Sequence, residues 1–175
     1  MIRKAITSDI PAVAKIYEKI HQCEQAGKVQ TGWIPGIYPV EDTAKAAHKR
    51  DDLFVYEKDG KILAAAIINQ TQVDIYAKGN WTYPAADSKV MVLHTLVVDP
   101  DAGKKGIGRQ MVAFYEAYAW EKGCSVLRMD TNVRNKTARM MYHKLGYQEA
   151  GTVSCVFNGI PDVQLVLLEK KRKER

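Results

Sequence analysis

A loop rich in glycine and lysine is the part of this sequence best suited to hold an anion. It follows the break at Asp99-Pro100 and comprises Gly103, Lys104, Lys105, Gly106, Ile107, Gly108 and Arg109. Glycines allow backbone N–H groups to converge on a phosphate, and the first turn of a following helix adds unpaired donors and the positive end of its dipole. The spacing fits neither a dinucleotide loop, because Met111 stands where the third glycine would be, nor a P-loop. The loop therefore predicts phosphate binding without naming the ligand.

A second set of residues recurs at helical spacing downstream of this loop. Asn135, Tyr142 and Gly146 are seven and four residues apart, which puts them on one edge of a helix. The small Ala138 would let a ligand approach that edge closely. Together with the glycine loop, the arrangement resembles the GCN5-related N-acetyltransferase (GNAT) family, whose members bind acetyl-CoA in a V-shaped opening between two parallel strands.

The resemblance implies acetyl-CoA as the cofactor, no metal, and a set of residues that bind the cofactor. Asn135 would bond the pantetheine arm, and Tyr142 would stand near the sulfur, where it protonates or hydrogen-bonds the departing thiolate. The strand backbone would pair with the pantetheine like a further β-strand, at Leu96, Val97 and Val98. A bulge near Leu96 or Val97 would also point one backbone N–H at the thioester oxygen.

The glycine loop departs from the family pattern at its first position. Gly103 replaces the arginine or glutamine with which the family's loop begins, so one side chain near the pyrophosphate is missing. Backbone N–H groups do most of the binding at such loops, and Lys104 or Lys105 would restore the charge. We expect an altered affinity for the cofactor and not its loss.

Transfer to an amine also needs a proton acceptor, because a primary amine is mostly protonated at neutral pH. His94 is the only titratable side chain in the apolar run from Val90 to Val98, and it is our first candidate base. Some members of the family, including the arylalkylamine acetyltransferases, have a histidine at the matching position. A buried structural histidine fits the sequence equally well. Asp130 is the alternative base or an amine-binding carboxylate, although a capping or turn role also suits it.

Aromatic residues in two irregular segments indicate a largely apolar pocket for the acceptor. The predicted substrate-binding residues are Trp33, Tyr38, Trp81 and Asp130. Glu41 and Asp74 are further carboxylates that could face an ammonium group. The predicted reaction is direct attack by the primary amine of a small molecule on acetyl-CoA in a ternary complex. The alternative is a regulatory or interaction module that binds CoA and has lost turnover.

Hydrophobic periodicity predicts the elements that must position these residues. The pattern indicates strands at about 1–6, 53–57, 62–69, 90–98, 125–130, 147–157 and 163–169. It indicates helices at about 10–25, 40–49, 106–122 and 135–145. Segment 70–88 is expected to be irregular and to form a second wall of the pocket, and 158–162 to join the last two strands. The expected fold is α/β, a mixed and centrally splayed sheet of about seven strands flanked by about four helices, in a single domain spanning 1–175.

Composition limits the partners and the compartment. The chain has 175 residues, a net charge of +6 and a basic tail that begins at about Lys170. Without basic residues interleaved with aromatic ones, we expect no nucleic-acid binding, and without a long apolar run we expect no membrane span. Cys23, Cys124 and Cys155 are expected to be buried free thiols in a cytoplasmic protein that has no signal peptide. The sequence leaves a homodimer open.

Overall fold

The computed structural model describes residues 1–173, and its helices and strands follow the predicted order. The strands are β1 (Ile2–Lys4), β2 (Leu53–Lys58), β3 (Lys61–Asn69), β4 (Val90–Val98), β5 (Val126–Asn132), β6 (Gln148–Phe157) and β7 (Ile160–Lys171). The helices are α1 (Ile10–Gln25), α2 (Glu41–Lys49), α3 (Ile107–Glu121) and α4 (Lys136–Lys144). Short 3₁₀ turns interrupt the otherwise irregular segment 70–89.

All seven strands form one mixed sheet in the order β1-β2-β3-β4-β5-β7-β6. The adjacent strands β4 and β5 are parallel, and the other pairs are antiparallel. Helix α3 connects β4 to β5, as a parallel pair requires. The predicted mixed α/β architecture is confirmed.

The sheet opens in its centre, between β4 and β5. These strands are paired only from Val90 opposite Val126 to Leu93 opposite Met129. Both strands continue beyond that point, β4 to Val98 and β5 to Asn132, without a partner in each other. The predicted central splay is therefore present, and it leaves two inner strand edges facing one another.

Alternating side chains bury both faces of the sheet. Ala65 and Ile67 of β3 pack with α1 and α2, whereas Ala64 and Ala66 pack on the opposite face with α3. Segment 70–89 covers the remainder of the first face, over β5, β6 and β7. Small alanines in β3 allow the helices to approach the sheet closely, and each face thus has its own apolar core.

A bulge in β4 changes which residues face each side. Ala65 pairs with Val97 and Ile67 pairs with His94, so β4 carries one residue more than β3 over this stretch. Thr95 absorbs the extra residue with a φ of 47°, an unusual conformation for a β-branched side chain. Leu93 packs on the α3 side before the bulge, and Leu96 takes that side after it.

The last hairpin is tighter than the sequence suggested. We expected 158–162 to be a connection, but β7 begins at Ile160, and Phe157 pairs with Ile160. Asn158 and Gly159 both have positive φ, 51° and 78°, as a two-residue hairpin turn requires. The predicted connection included Pro161, which lies inside β7 although proline cannot donate to a strand ladder. A local irregularity, with Asp162 at a φ of 56°, accommodates it inside the sheet.

The end of β7 also differs from expectation. The strand runs to Lys171, and the Lys170 ammonium lies 2.8 Å from the Glu116 carboxylate and 2.8 Å from the Leu145 carbonyl oxygen. Lys170 is therefore part of the folded structure and not the start of a solvated basic tail. The end of that predicted tail, 174–175, lies outside the described residues.

Two further expectations from composition can be compared with the structure. Cys124 is buried, but Cys23 and Cys155 are only half-buried, and all three are free thiols. Among residues 1–173, no helix has both the length and the apolar character needed to cross a membrane.

Two buried charges fasten segment 70–89 to the sheet. Arg128 of β5 and Glu169 of β7 are register partners, and both are buried. The Glu169 carboxylate accepts hydrogen bonds from the backbone N–H groups of Thr82 and Tyr83, at 2.6 and 3.2 Å. Arg128 donates to the Tyr83 carbonyl oxygen at 3.0 Å. The pattern of apolar residues gave no sign of either anchor, because both interrupt otherwise apolar strands.

We expect Glu169→Ala to lower the free energy of unfolding by about 3 kcal/mol, because it leaves two buried N–H groups without an acceptor and removes an anion facing Arg128. Urea denaturation measures the loss. The matched control is Glu149→Ala on β6, which removes a partly exposed ion pair with Arg139 and should cost less than about 1 kcal/mol. Equal losses in the two variants would contradict the anchoring role.

Candidate functional site

A cavity of about 560 Å³ occupies the opening between β4 and β5. Its walls include β4 from Leu93, a member of the last pair shared with β5, to Val98, and β5 from Asp130 to Asn132, beyond that pair. The first turns of α4 and the loop before α2 close it on other sides. Its size is typical of a site for a small molecule or for part of a cofactor.

The cavity connects the two faces of the sheet. His94 lies opposite Ile67, on the face covered by α1 and α2, and Asp130 bonds to Tyr76 on that same side. Leu96 and Tyr142 belong to the core on the face covered by α3 and α4. A ligand entering from the α3–α4 side can therefore meet a second ligand from the other side in the gap between the strands.

Helix α4 brings the predicted residues Asn135, Ala138 and Tyr142 to the cavity, beside Met141. Asn135 is the N-cap of the helix, and its side-chain oxygen accepts a hydrogen bond from the Ala138 N–H at 3.2 Å. The amide nitrogen of Asn135 is then the group left to contact a ligand. The sequence analysis assigned Asn135 a ligand role and missed the cap, for which an asparagine before a helical stretch was the signal.

The Tyr142 ring is buried, and it packs edge to face against Tyr147 at 5.9 Å between ring centres. Tyr147 is in turn held by a hydrogen bond from its hydroxyl to Glu116 at 3.0 Å. Burial, and secondarily the Asp130 carboxylate, raise the pKa of the Tyr142 hydroxyl above its usual range. The hydroxyl therefore stays protonated at neutral pH, and it is a better hydrogen-bond donor than proton donor.

The glycine loop lies next to the cavity and does not line it. Gly103 and Gly106 have positive φ, 73° and 68°, and Gly106 is the N-cap of α3. A Cβ on Gly108 would lie 3.5 Å from the Met141 sulfur and 3.8 Å from Val98, and both of these line the cavity. The loop thus continues the cavity toward the start of α3.

The side chains of this loop divide into two groups. Ile107 is buried in the core, so only its backbone can contact a ligand. Lys104, Lys105 and Arg109 are exposed and supply positive charge around the N-terminus of α3. The loop therefore has the backbone conformation and the charge of an anion-binding site.

His94 lines the cavity, and its Nε2 lies 2.9 Å from the side-chain oxygen of Asn69. Burial lowers the pKa of His94 to about 4, although the Asp52 carboxylate opposes the shift. The ring is therefore neutral at pH 7 and has a free lone pair. It is also a weaker base than the sequence analysis assumed from the ordinary pKa of histidine.

Asp130 sits on the opposite wall, and its carboxylate accepts a hydrogen bond from the Tyr76 hydroxyl at 2.7 Å. Burial raises the pKa of Asp130 to about 6, and the bond from Tyr76 works against that rise. The carboxylate is therefore mostly ionised at pH 7 and loses its charge as the pH falls through about 6. The sequence analysis considered a capping or turn role for Asp130, but the side chain lines the cavity.

Around Asp130 the cavity is mostly apolar and aromatic. Trp33 and Tyr38 both line it, and their rings meet edge to face with centres 6.1 Å apart. The Tyr38 hydroxyl bonds to the Thr95 hydroxyl at the bulge. The apolar residues on this side are Val73, Phe157, Ile160, Val163 and Leu165.

Several predicted substrate contacts lie elsewhere. Trp81 does not line the cavity, because its ring stacks on the Arg128 guanidinium at 4.1 Å. Glu41 pairs with Lys45 on the exposed side of α2, and Asp74 is also outside the cavity. Segment 70–89 was expected to form a second wall, but it contributes only Val73 to the lining. Its main role at the site is indirect, through Tyr76.

Three exposed cations that were not predicted from the sequence also line the cavity, namely Lys28, Arg134 and Lys136. The loop carrying Lys28 is held by the Glu24 carboxylate, which accepts hydrogen bonds from Thr31 and Gly32. Gly32 leaves no room for a side chain, because a Cβ there would lie 2.3 Å from the Asn132 amide nitrogen. No local sequence signal links this loop to the end of β5, since the contact is a long-range one.

Known proteins share both sequence and fold with this chain. The acetyltransferase (GNAT) family model matches residues 14–147. An uncharacterized N-acetyltransferase of Bacillus subtilis, YhfO, is 25% identical over 148 residues, which are 85% of this chain and 89% of that protein.

Two solved structures superpose on nearly the whole chain. A GNAT-family acetyltransferase from Listeria monocytogenes has a TM-score of 0.75 at 21% identity, over 98% of this chain and 94% of its own. The acetyltransferase yncA of Salmonella typhimurium, solved with its cofactor acetyl-CoA, has a TM-score of 0.69 at 17% identity, over 100% of this chain and 95% of its own. At these identities the likeness concerns the fold.

We expect Tyr76→Phe to raise the pKa of Asp130 above about 6, because the variant removes the one hydrogen bond that favours the carboxylate while it keeps the ring. Titration of the Asp130 carboxyl carbon by NMR measures the change. Tyr83→Phe, in the same segment, is the matched control and should leave that titration where it was. A fall in the pKa of Asp130 in Tyr76→Phe would contradict the assignment.

Proposed function

Because the chain belongs to the acetyltransferase (GNAT) family, we propose that it transfers an acetyl group from acetyl-CoA to the primary amine of a small molecule. The observation that carries the proposal is the cavity between β4 and β5, which has Tyr142 on one side of the sheet and His94 and Asp130 on the other. A thioester from one side and an amine from the other would meet between these groups.

The residues around the gap fit the shape and charge of acetyl-CoA. The inner edge of β4 offers backbone groups at Leu96, Val97 and Val98 that β5 does not bond, which suits an extended pantetheine arm. The amide nitrogen of Asn135 and the small Ala138 line the same path. The glycine loop, with Gly103, Lys104, Lys105, Gly106, Ile107, Gly108 and Arg109, would receive the pyrophosphate at the start of α3.

The acceptor side favours an amine on a compact, largely apolar molecule. Asp130 is the carboxylate in the cavity lining, and it would hold the ammonium form of the acceptor, which releases one proton to water before the neutral nitrogen reacts. Trp33 and Tyr38 would pack against the body of the molecule. Trp33, Tyr38 and the apolar side chains beside them suit the body of a small molecule, and we infer such an acceptor in preference to a peptide terminus.

When bound, acetyl-CoA supplies an activated acetyl group and a thiolate leaving group. The amine nitrogen bonds the carbonyl carbon, the carbon–sulfur bond breaks, and no enzyme-bound acetyl intermediate is needed. His94, neutral at pH 7, accepts the proton that the nitrogen loses once that bond has formed and the nitrogen has become acidic. Tyr142 donates a hydrogen bond to the departing sulfur.

The bulge in β4 would supply a donor for the negative charge that develops on the carbonyl oxygen of the thioester. A bulge leaves one backbone N–H outside the ladder, and the extra residue here falls at Thr95, before Leu96. We assign the N–H of Leu96 or Val97 as the donor to that oxygen. Such a donor typically contributes ~3 kcal/mol to the stabilisation of the transition state.

The second candidate is a protein that binds CoA and has lost turnover. The observation in its favour is the low pKa of His94, which makes this residue a weak base. The two candidates differ in one measurement, acetyl-CoA consumption across a panel of small primary amines. Dependence of consumption on the amine supports the transferase, whereas CoA binding without such turnover supports the second candidate.

Gly106→Val should weaken CoA binding at least about 10-fold, because a branched side chain blocks approach to the backbone of the anion site. Gly123→Val is the matched control. It lies just past the other end of α3, has a φ of 76° against 68° for Gly106, and likewise has open space around its Cβ. Both variants should lose similar thermal stability, and isothermal titration with CoA separates them. Equal CoA affinities in the two variants would refute the loop as the phosphate site.

Tyr142→Phe should lower kcat about 10- to 100-fold, as the loss of a hydrogen bond to a charged sulfur predicts, with little change in the Kd for CoA. Tyr147→Phe keeps a buried ring beside Tyr142 and removes only the bond to Glu116, so its kcat should stay near that of the unmodified protein. The comparison uses the best acceptor of the panel. If both variants retain full kcat, Tyr142 has no part in thiolate stabilisation.

A further inference from the structure

We propose that Asn69 and Asp52 act as positioning residues that fix His94 in one tautomer, with the proton on Nε2 and the lone pair on Nδ1 free to act as the base. This inference rests on the proposed function, because it concerns the residue that accepts the proton of the acceptor amine. The three side chains form a continuous chain of hydrogen bonds that leads from the cavity to a buried carboxylate.

The orientation of the Asn69 amide follows from two partners whose roles are fixed. Its nitrogen lies 2.9 Å from the Asp52 carboxylate, which can only accept. Its oxygen lies 3.0 Å from the backbone N–H of Thr71, which can only donate. Rotating the amide by half a turn would place its oxygen against the Asp52 carboxylate, an acceptor against an acceptor, and its nitrogen against the Thr71 N–H, a donor against a donor. The orientation with the oxygen toward Thr71 is therefore the stable one.

The tautomer of His94 follows from that orientation. The same Asn69 oxygen is 2.9 Å from Nε2 of His94, and an oxygen has no proton to give. Nε2 must therefore carry the hydrogen and donate it, which leaves Nδ1 unprotonated in the neutral ring. Without this contact the ring would lose the side-chain hydrogen bond that assigns its proton to Nε2.

Asp52 holds the Asn69 amide at the end of the chain of hydrogen bonds that lies away from the cavity. It is buried, and the Arg50 guanidinium donates to it at 2.9 and 3.2 Å, so the carboxylate is held in place. The Asp52 carboxylate and the backbone carbonyl of Thr71 favour the protonated His94 ring, and Arg50 disfavours it. Asp130 lies across the gap on β5.

In this arrangement the proton moves from the acceptor to His94 without any further reactant. The nitrogen of the acceptor bonds the acetyl carbon and releases one proton to Nδ1 of His94. The proton on Nε2 stays on that nitrogen, hydrogen-bonded to the Asn69 oxygen. The ring then carries one positive charge, which Asp52 stabilises through Asn69. Nδ1 later returns the proton to solvent or to the released thiolate.

Histidine tautomers can be read directly by NMR on ¹⁵N-labelled protein, with His94→Gln used to assign the signals. We expect the His94 ring at pH 7 to be protonated on Nε2 and unprotonated on Nδ1. Asn69→Leu should shift the ring toward a mixture of tautomers. Gln70→Leu is the matched control, since Gln70 is the next residue, faces Ser88 and Cys124, and should leave the ring unchanged. A ring protonated on Nδ1, or a tautomer unaffected by Asn69→Leu, would overturn the proposal.

A second variant covers the case in which Asn69→Leu does not fold. Asp52→Asn keeps an oxygen that accepts from the Asn69 amide, so the tautomer should persist, but the loss of the carboxylate should lower the pKa of His94. Titration of the ring by NMR measures this fall. An unchanged or higher pKa of His94 in a folded Asp52→Asn protein would count against the chain of hydrogen bonds.

Kinetics link the chain of hydrogen bonds to the reaction. Asn69→Leu should lower kcat at least about 10-fold, in the range of lost acid–base catalysis, with KM for the amine and for acetyl-CoA nearly unchanged. If kcat falls in His94→Gln but not in Asn69→Leu, the positioning role is refuted while His94 remains the base. If neither variant affects kcat, the proposed role of His94 fails, and the NMR result still decides the tautomer.

Discussion

The separation of β4 from β5 is the constraint on which the rest of the structure depends. A buried strand edge is costly unless its N–H and C=O groups find partners, and this sheet has two such edges in its middle. They are tolerable because the cavity runs along them, with α4 and the loop before α2 around it. Under the proposed function, these unpaired groups would bind an extended ligand.

The electrostatics of the site depend on its position between two cores. Burial acts on both acid–base groups and favours the neutral form of each, with the pKa of His94 at about 4 and that of Asp130 at about 6. A neighbour outside the cavity opposes each of these pKa shifts. Asp52 raises the pKa of the histidine, and Tyr76 lowers that of Asp130. The pKa values of the two groups that line the cavity are therefore adjusted by residues that do not line it.

The sequence predicted the architecture well because periodic apolar residues and local turn signals determine it. The order of elements and the parallel crossover follow from spacing along the chain, whereas the placement of α4 residues at the cavity follows from the resemblance to the GNAT family. The features that the sequence did not predict depend on contacts between residues far apart in the chain. Trp81 was predicted to line the pocket, but its ring stacks on Arg128. The hydrogen bond between Asn69 and His94 joins two strands beside the bulge. The tight turn before Pro161 was missed as well, since only pairing with β6 reveals the irregularity that accommodates this proline inside β7.

The bulge at Thr95 has a consequence for how this protein can diverge. Leu96 and Val98 lie on the α3–α4 side only because one extra residue precedes them, and removing it would turn each of them toward the opposite core. Substitutions along β4 alter one side chain at a time, whereas a single deletion exchanges the environment of every residue after it. Descendants of this sequence should therefore vary in the identity of the residues of β4 far more freely than in their number.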